Sequence, residues 1–127
     1  MNNETRFQNT APSGSTTTIC RTTSLNLLWS FAQMLAHHSV GGCPMRVGDL
    51  LGSGTISGTE EGSQGSMLEQ TRGGKAPLRL QGTPDEQRFF LQDGDTVAIR
   101  GWCAGPEGEL VGFGECVGKI EPALPEL

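Results

Sequence analysis

The chain has 127 residues, 19 of them glycine, with 18% charged residues and a formal net charge of −5. That is the length of a single domain with a core of its own, and glycine at about twice its usual share of roughly 7% favours a turn-rich β fold over a helical bundle. The acidic balance offers no basic surface to nucleic acid or to an anionic membrane, and no apolar run approaches the roughly 18 residues of a membrane span.

In chain order, residues 1–15 are polar and rich in Asn, Thr and Ser. They are expected to form a leader without order, ahead of a domain over 16–127. Thr16 to Cys20 is β-branched and reads as a short strand. Ser24 to His38 reads as a helix, capped by Thr23 or Ser24 and stopped by Gly41-Gly42 with Pro44 behind them. Leu25, Leu28, Trp29, Ala32 and Leu35 form one apolar stripe and Leu27, Phe31 and Met34 a second, which predicts a helix buried on both sides. Gly48-Asp49 is a turn into Leu50-Leu51. Ser66–Thr71, Pro77–Leu80, Arg88–Gln92, Thr96–Cys103 and Leu110–Ile120 are strand candidates. Asp93-Gly94-Asp95 is a hairpin signal, and Gly73-Gly74 and Gly105-Pro106 mark turns. Gly112, Gly114 and Gly118 predict a bulge or a close approach in the last strand. The pattern is α+β, predominantly β: one buried helix followed by antiparallel strands.

Several chemical groups stand out, and most have plain explanations. Cys20, Cys43, Cys103 and Cys116 contain no C-x-x-C pair and nothing at the N-terminus resembles a signal peptide. They read as reduced, mostly buried thiols in a cytoplasmic protein rather than zinc ligands or disulfides. His37 and His38 are adjacent, so on a helix they point about 100° apart and cannot share one metal. Near a helix C-terminus they serve the dipole. Ser57 and Ser66 sit beside glycines but do not fit the G-x-S-x-G nucleophile elbow. Glu60-Glu61, Asp85-Glu86 and Asp93/Asp95 lie among turn residues, where acids are solvated, and converge on no metal site.

Thr55 and Glu69 are different. Gly52-Ser53-Gly54-Thr55-Ile56-Ser57-Gly58 and Gly65-Ser66-Met67-Leu68-Glu69 are two glycine-punctuated turns, each presenting a polar side chain beside an apolar one. Glycine at that density serves positive φ or close approach. A carboxylate in a partly apolar setting orients a histidine, pairs with a cation or is structural. The Thr55 hydroxyl either holds a ligand carboxylate or stitches its own turn.

At these boxes the chain resembles the C-terminal third of the fumarylacetoacetase family. The likeness runs in one register from about Thr17 to Leu124. It takes in Thr18-Ile19-Cys20-Arg21, Leu28-Trp29, Gln33 to Val40, Gly42-Cys43, Gly48-Asp49-Leu50-Leu51, and the Thr55 and Glu69 boxes. It continues through Leu91 to Val97, Gly101, Gly112-Phe113-Gly114, Cys116, Gly118-Lys119 and Pro122-Ala123-Leu124. The resemblance implies a mixed β-sandwich roll and a homodimeric hydrolase that splits 4-fumarylacetoacetate into fumarate and acetoacetate in tyrosine and phenylalanine breakdown. It implies Ca2+ and Mg2+ as cofactors, held by ligands outside this chain. It aligns Glu69 with a glutamate that orients a histidine base, and Thr55 with a substrate-binding threonine. The base histidine and the acidic metal ligands fall upstream of what this sequence matches, so the chain by itself is expected to be an inactive piece of that enzyme. The rival expectations are another enzyme of the superfamily (acylpyruvate hydrolase, hydratase or decarboxylase) and a non-catalytic β-rich interaction module.

Overall fold

The computed structural model of the protein describes residues 2–8, 16–81 and 86–125. Six strands and two helices follow in the order β1 (Asn2–Gln8), β2 (Thr16–Thr23), α1 (Phe31–Val40), α2 (Met67–Gln70), β3 (Leu78–Arg79), β4 (Gln87–Arg88), β5 (Thr96–Ala104) and β6 (Leu110–Lys119). The main sheet is antiparallel with strand order β2-β1-β5-β6, and β3 and β4 form a separate two-stranded ribbon.

Composition predicts no order for the leader, yet Asn2–Gln8 forms the strand between β2 and β5. The reason is pairing. A polar strand with a ladder on each side satisfies its backbone groups whatever its side chains are. Residues 9–15 lie outside those described.

Two bulges shape the sheet. In the β1–β2 ladder Thr5 faces Cys20 and Arg6 faces Thr18, which leaves Ile19 as the extra residue. In the β5–β6 ladder Arg100 faces Glu115 and Trp102 faces Gly112, so Gly101 opposes both Phe113 and Gly114. Gly114 takes φ 80°, a left-handed value at which a side chain would be strained. This is the irregularity that the glycines of the last strand predict.

The helix differs from expectation at its start and in its surroundings. Ser24–Asn26 is only a 3-10 turn, with Thr23 Oγ1 accepting from the Leu25 N–H. The α-helix begins at Phe31 behind Ser30, whose side chain accepts from Gln33 N while the Gln33 side chain accepts from Ser30 N. This reciprocal capping box outcompetes the earlier caps. The predicted stop holds, since α1 ends at Val40 with Gly41 as its cap. Burial does not hold. No residue of α1 is buried, and Leu28 and Phe31 are 85% and 62% exposed, so the helix expected to be buried on both faces lies open among the described residues. Its apolar stripes have the predicted spacing, but no described element covers them.

Among the described residues the buried apolar ones are Cys20, Leu80 and Ala98, while Thr17, Ser63, Thr71, Arg88 and Asp95 are buried polar groups. The core expected from chain length is therefore thin, and polar contacts carry much of the interior. Asp95, expected to be solvated, is 2% exposed and meets Arg88 Nε at 3.3 Å, and Arg88 Nη2 also reaches Glu86 at 2.8 Å. Burial disfavours the charge on Arg88, but the hydrogen bonds it donates to Asp95 and Glu86 outweigh it and keep the guanidinium protonated. The Asp93-Gly94-Asp95 turn is present, yet it joins β4 to β5, which pair with other strands, so it closes no hairpin. All four cysteines are free, but only Cys20 is buried, and Cys43 and Cys116 are exposed, against the expectation that most would be inside.

Candidate functional site

The segment from Ser66 to Thr71, expected to be a strand, is a short helical turn. Ser66 Oγ accepts from Glu69 N at 3.3 Å and donates to Glu69 Oε2 at 2.7 Å. The S-x-x-E spacing of Ser66 and Glu69 is a helix-start signal, and it outweighs the weak alternation that reads as a strand. Thr71, fully buried, ends the turn by donating from Oγ1 to the Met67 carbonyl at 2.7 Å and accepting from Gly74 N at 3.1 Å.

Long-range bonds anchor this turn. Gln70 Nε2 donates to the carbonyls of Ile19 at 2.6 Å and of Gln64 at 2.7 Å. Ile19 is the bulged residue of β2, where the ladder locally breaks and leaves its carbonyl available. The irregularity in the sheet thus seats α2 and sets where Glu69 stands.

The two glycine-punctuated boxes come together. Ser57 Oγ donates to Glu69 Oε2 at 2.9 Å and accepts from Gly65 N at 3.0 Å. Gly65 has no room for a side chain: a Cβ there would stand 2.5 Å from the Ile56 carbonyl oxygen and 2.8 Å from the Thr55 methyl. Close backbone approach is therefore the reason for this glycine. Glu69, Ser57 and Ser66 form one polar cluster on the surface, and Thr55, singled out from sequence beside Glu69, borders it only through its methyl group at Gly65. Sequence reasoning set Ser57 and Ser66 aside as nucleophiles and missed them as partners of Glu69. Ser66 was legible from its three-residue spacing, whereas nothing local marks Ser57, twelve residues away.

Both hydroxyls bind the same oxygen, Oε2, and among the described residues Oε1 has no hydrogen-bond partner. The bonds from Ser66 and then Ser57 lower the Glu69 pKa below its ordinary value, so the group is a carboxylate at neutral pH. Cys20, on β2, feels this charge. Burial, and secondly Glu69, raises its pKa, so it remains a thiol.

The other candidates stay apart from the cluster. His37 and His38 lie in the last turn of α1 and line an open hollow of about 900 Å3 with Trp29, Phe31 and Leu51. A second hollow, of about 950 Å3, runs along β2 beside the Gly58–Ser63 loop, and neither is lined by Thr55 or Glu69. Among the described residues no three His, Cys, Asp or Glu side chains converge, and Asp85 lies outside those described. These residues do not fit a Ca2+ or Mg2+ cage, which needs several oxygen ligands. Among them, too, no helix is long and apolar enough to cross a membrane.

The chain belongs to the family described as fumarylacetoacetate (FAA) hydrolase C-terminal, which matches residues 10–121. It is similar to the fumarylacetoacetase of Aspergillus fumigatus, 61% identical over 111 residues, which make up 87% of this chain and 25% of that protein. The fumarylacetoacetase of Arabidopsis thaliana is 54% identical over 100 residues (79% of this chain, 23% of that protein). That of Homo sapiens is 50% identical over 107 residues (84% and 25%). The chain thus spans about a quarter of the length of the curated relatives it matches.

Proposed function

We propose that this chain supplies the Thr55 and Glu69 part of the active site of an enzyme that hydrolyses 4-fumarylacetoacetate to fumarate and acetoacetate. The observation that carries the reading is the Glu69 carboxylate, gripped at Oε2 by Ser57 and Ser66 with Oε1 open, in a chain 61% and 50% identical to proteins of that name.

In this reading Oε1 accepts the N–H of an imidazole, which fixes the tautomer and leaves the second ring nitrogen basic toward water. Water oxygen then joins the fumaryl carbonyl carbon. The carbon–carbon bond breaks with its electrons on the acetoacetate carbon, which takes a proton. Thr55 donates its hydroxyl to a substrate carboxylate. The base is assigned to residues beyond this chain, because neither His37 nor His38 hydrogen-bonds Glu69 among the described residues. The 127-residue chain alone is accordingly expected to give no turnover. Dependence on Ca2+ and Mg2+ with ligands outside this chain, a homodimeric whole enzyme, a mixed β-sandwich roll built onto this antiparallel sheet, and a cytoplasmic home belong to the same proposal.

The test uses an intact fumarylacetoacetase carrying this segment. Glu69→Gln keeps size and removes charge, and should lower kcat by about a hundredfold or more in an enzyme that still folds. Thr55→Val should mainly raise KM, as loss of ground-state binding does. Wild-type kcat in the Glu69→Gln enzyme would overturn the role.

A further inference from the structure

We propose that Ser57 and Ser66 are positioning residues, a two-hydroxyl clamp that holds Glu69 in one orientation through Oε2 and thereby aims Oε1 at its partner. The proposal rests on the reading of Glu69 as an orienting carboxylate and assigns that function its supporting residues.

The geometry carries it. A glutamate on an exposed turn has three free torsions, and one hydrogen bond leaves it able to swing. Here two donors approach one oxygen from different segments, Ser57 at 2.9 Å and Ser66 at 2.7 Å. Neither donor is itself free. Ser66 Oγ also accepts from Glu69 N at 3.3 Å, and Ser57 Oγ accepts from Gly65 N at 3.0 Å. Each hydroxyl has one proton, and a backbone N–H occupying a lone pair steers that proton to the carboxylate. The donors are thus fixed by the main chain, the arrangement that gives a supporting shell its precision. Gly65, whose N–H holds Ser57 Oγ, also packs against the Ile56 carbonyl and the Thr55 methyl, so the two glycine-punctuated turns are fastened at the same point.

The clamp also favours the anion. Its hydrogen bonds lower the folded-state pKa of Glu69, so its stabilisation is present above the ordinary carboxylate range and is lost as pH falls through the lowered value. Cys20, on β2, feels the Glu69 charge; it is a neutral thiol throughout that range, and burial and then Glu69 push its pKa higher still.

The experiment has two arms. In the 127-residue chain carrying carboxyl-13C glutamate, the Glu69 titration is followed by NMR in wild type, Ser57→Ala and Ser57→Thr. The alanine variant should shift the midpoint upward toward the usual glutamate range, and the threonine variant, which keeps a hydroxyl, should restore it. Should the alanine variant fail to fold, Ser57→Cys, similar in size and a much weaker donor, takes its place. A midpoint unmoved in a folded variant overturns the clamp. In an intact fumarylacetoacetase carrying the segment, Ser57→Ala should lower kcat at least about tenfold, the scale of one hydrogen bond to a charged group, with threonine again restoring it. A shifted midpoint beside wild-type kcat overturns the positioning role through its premise, the part played by Glu69.

Discussion

The polar segment from Ser57 to Lys75 and the apolar segment from Leu25 to Leu51 are organised in opposite ways. In the first, hydrogen bonds close the turns. Gly58 N meets Ser63 O at 2.9 Å, Gly73 N meets Leu68 O at 2.8 Å, and Lys75 N meets Thr71 O at 2.8 Å. Gln70 and Ser57 then fasten those turns to the sheet and to one another. In the second, the helix and its caps are well formed, yet Leu25, Leu28, Val40 and Leu50 are each at least 85% exposed. The difference teaches that directional bonds assemble a site from a short stretch of chain, whereas an apolar stripe acquires its partner only from surface brought by other residues. The first region carries the proposed chemistry, and the second is the part that something must cover.

Three substitutions probe this contrast, in order of expected effect. Arg88→Met tests whether a polar contact anchors the interior beside the first region. It leaves the buried Asp95 carboxylate without its guanidinium partner, still accepting from the Gln92 N–H at 2.7 Å. Removing one partner of a buried pair costs about 3–5 kcal/mol, read as a lowered denaturant midpoint. The double variant with Asp95→Leu should recover much of the loss, and a single variant as stable as wild type would break the contrast.

Gly65→Ala comes next. Gly65 is not among the glycines with left-handed φ, so contact rather than conformation forbids the methyl, which would stand 2.5 Å from the Ile56 carbonyl oxygen. Overpacking of this kind costs about 1–3 kcal/mol. In an intact enzyme carrying the segment it should raise KM and lower kcat together, because both boxes move.

Phe31→Gln is the mildest. Phe31 is 62% exposed, and a surface change of this kind alters stability by no more than about 0.5 kcal/mol. Its effect should appear in association instead. The wild-type chain, with a large open apolar surface, is expected to self-associate in sedimentation velocity, and the variant less so. A monodisperse wild-type monomer would show that the apolar region needs no cover.

How much was legible follows from how local each determinant is. β2, β5 and β6, the turns at Gly73-Gly74 and Gly105-Pro106, the end of α1 and the bulge at Gly114 all depend on residues within a few positions, through β-branching, turn residues and caps. Thr55 and Glu69 stood out by themselves because glycine is spent only where backbone geometry demands it. The strand assigned to Ser66–Thr71 failed because a serine cap three residues before a glutamate outweighed alternation.

Other features depended on distant partners. Asn2–Gln8 became a strand because β2 and β5 offered ladders on both sides, and Asp95 became buried because Arg88 met it. Ser57 became part of the site because the chain returned to it at Gly65 and Glu69. Sequence alone determined which segments turn, extend or coil and which two side chains to suspect, since those are short-range matters of sterics and capping. Only tertiary structure decided which polar groups would share one hydrogen-bond network and which apolar faces would stay open, since both depend on what distant residues bring within a few ångströms.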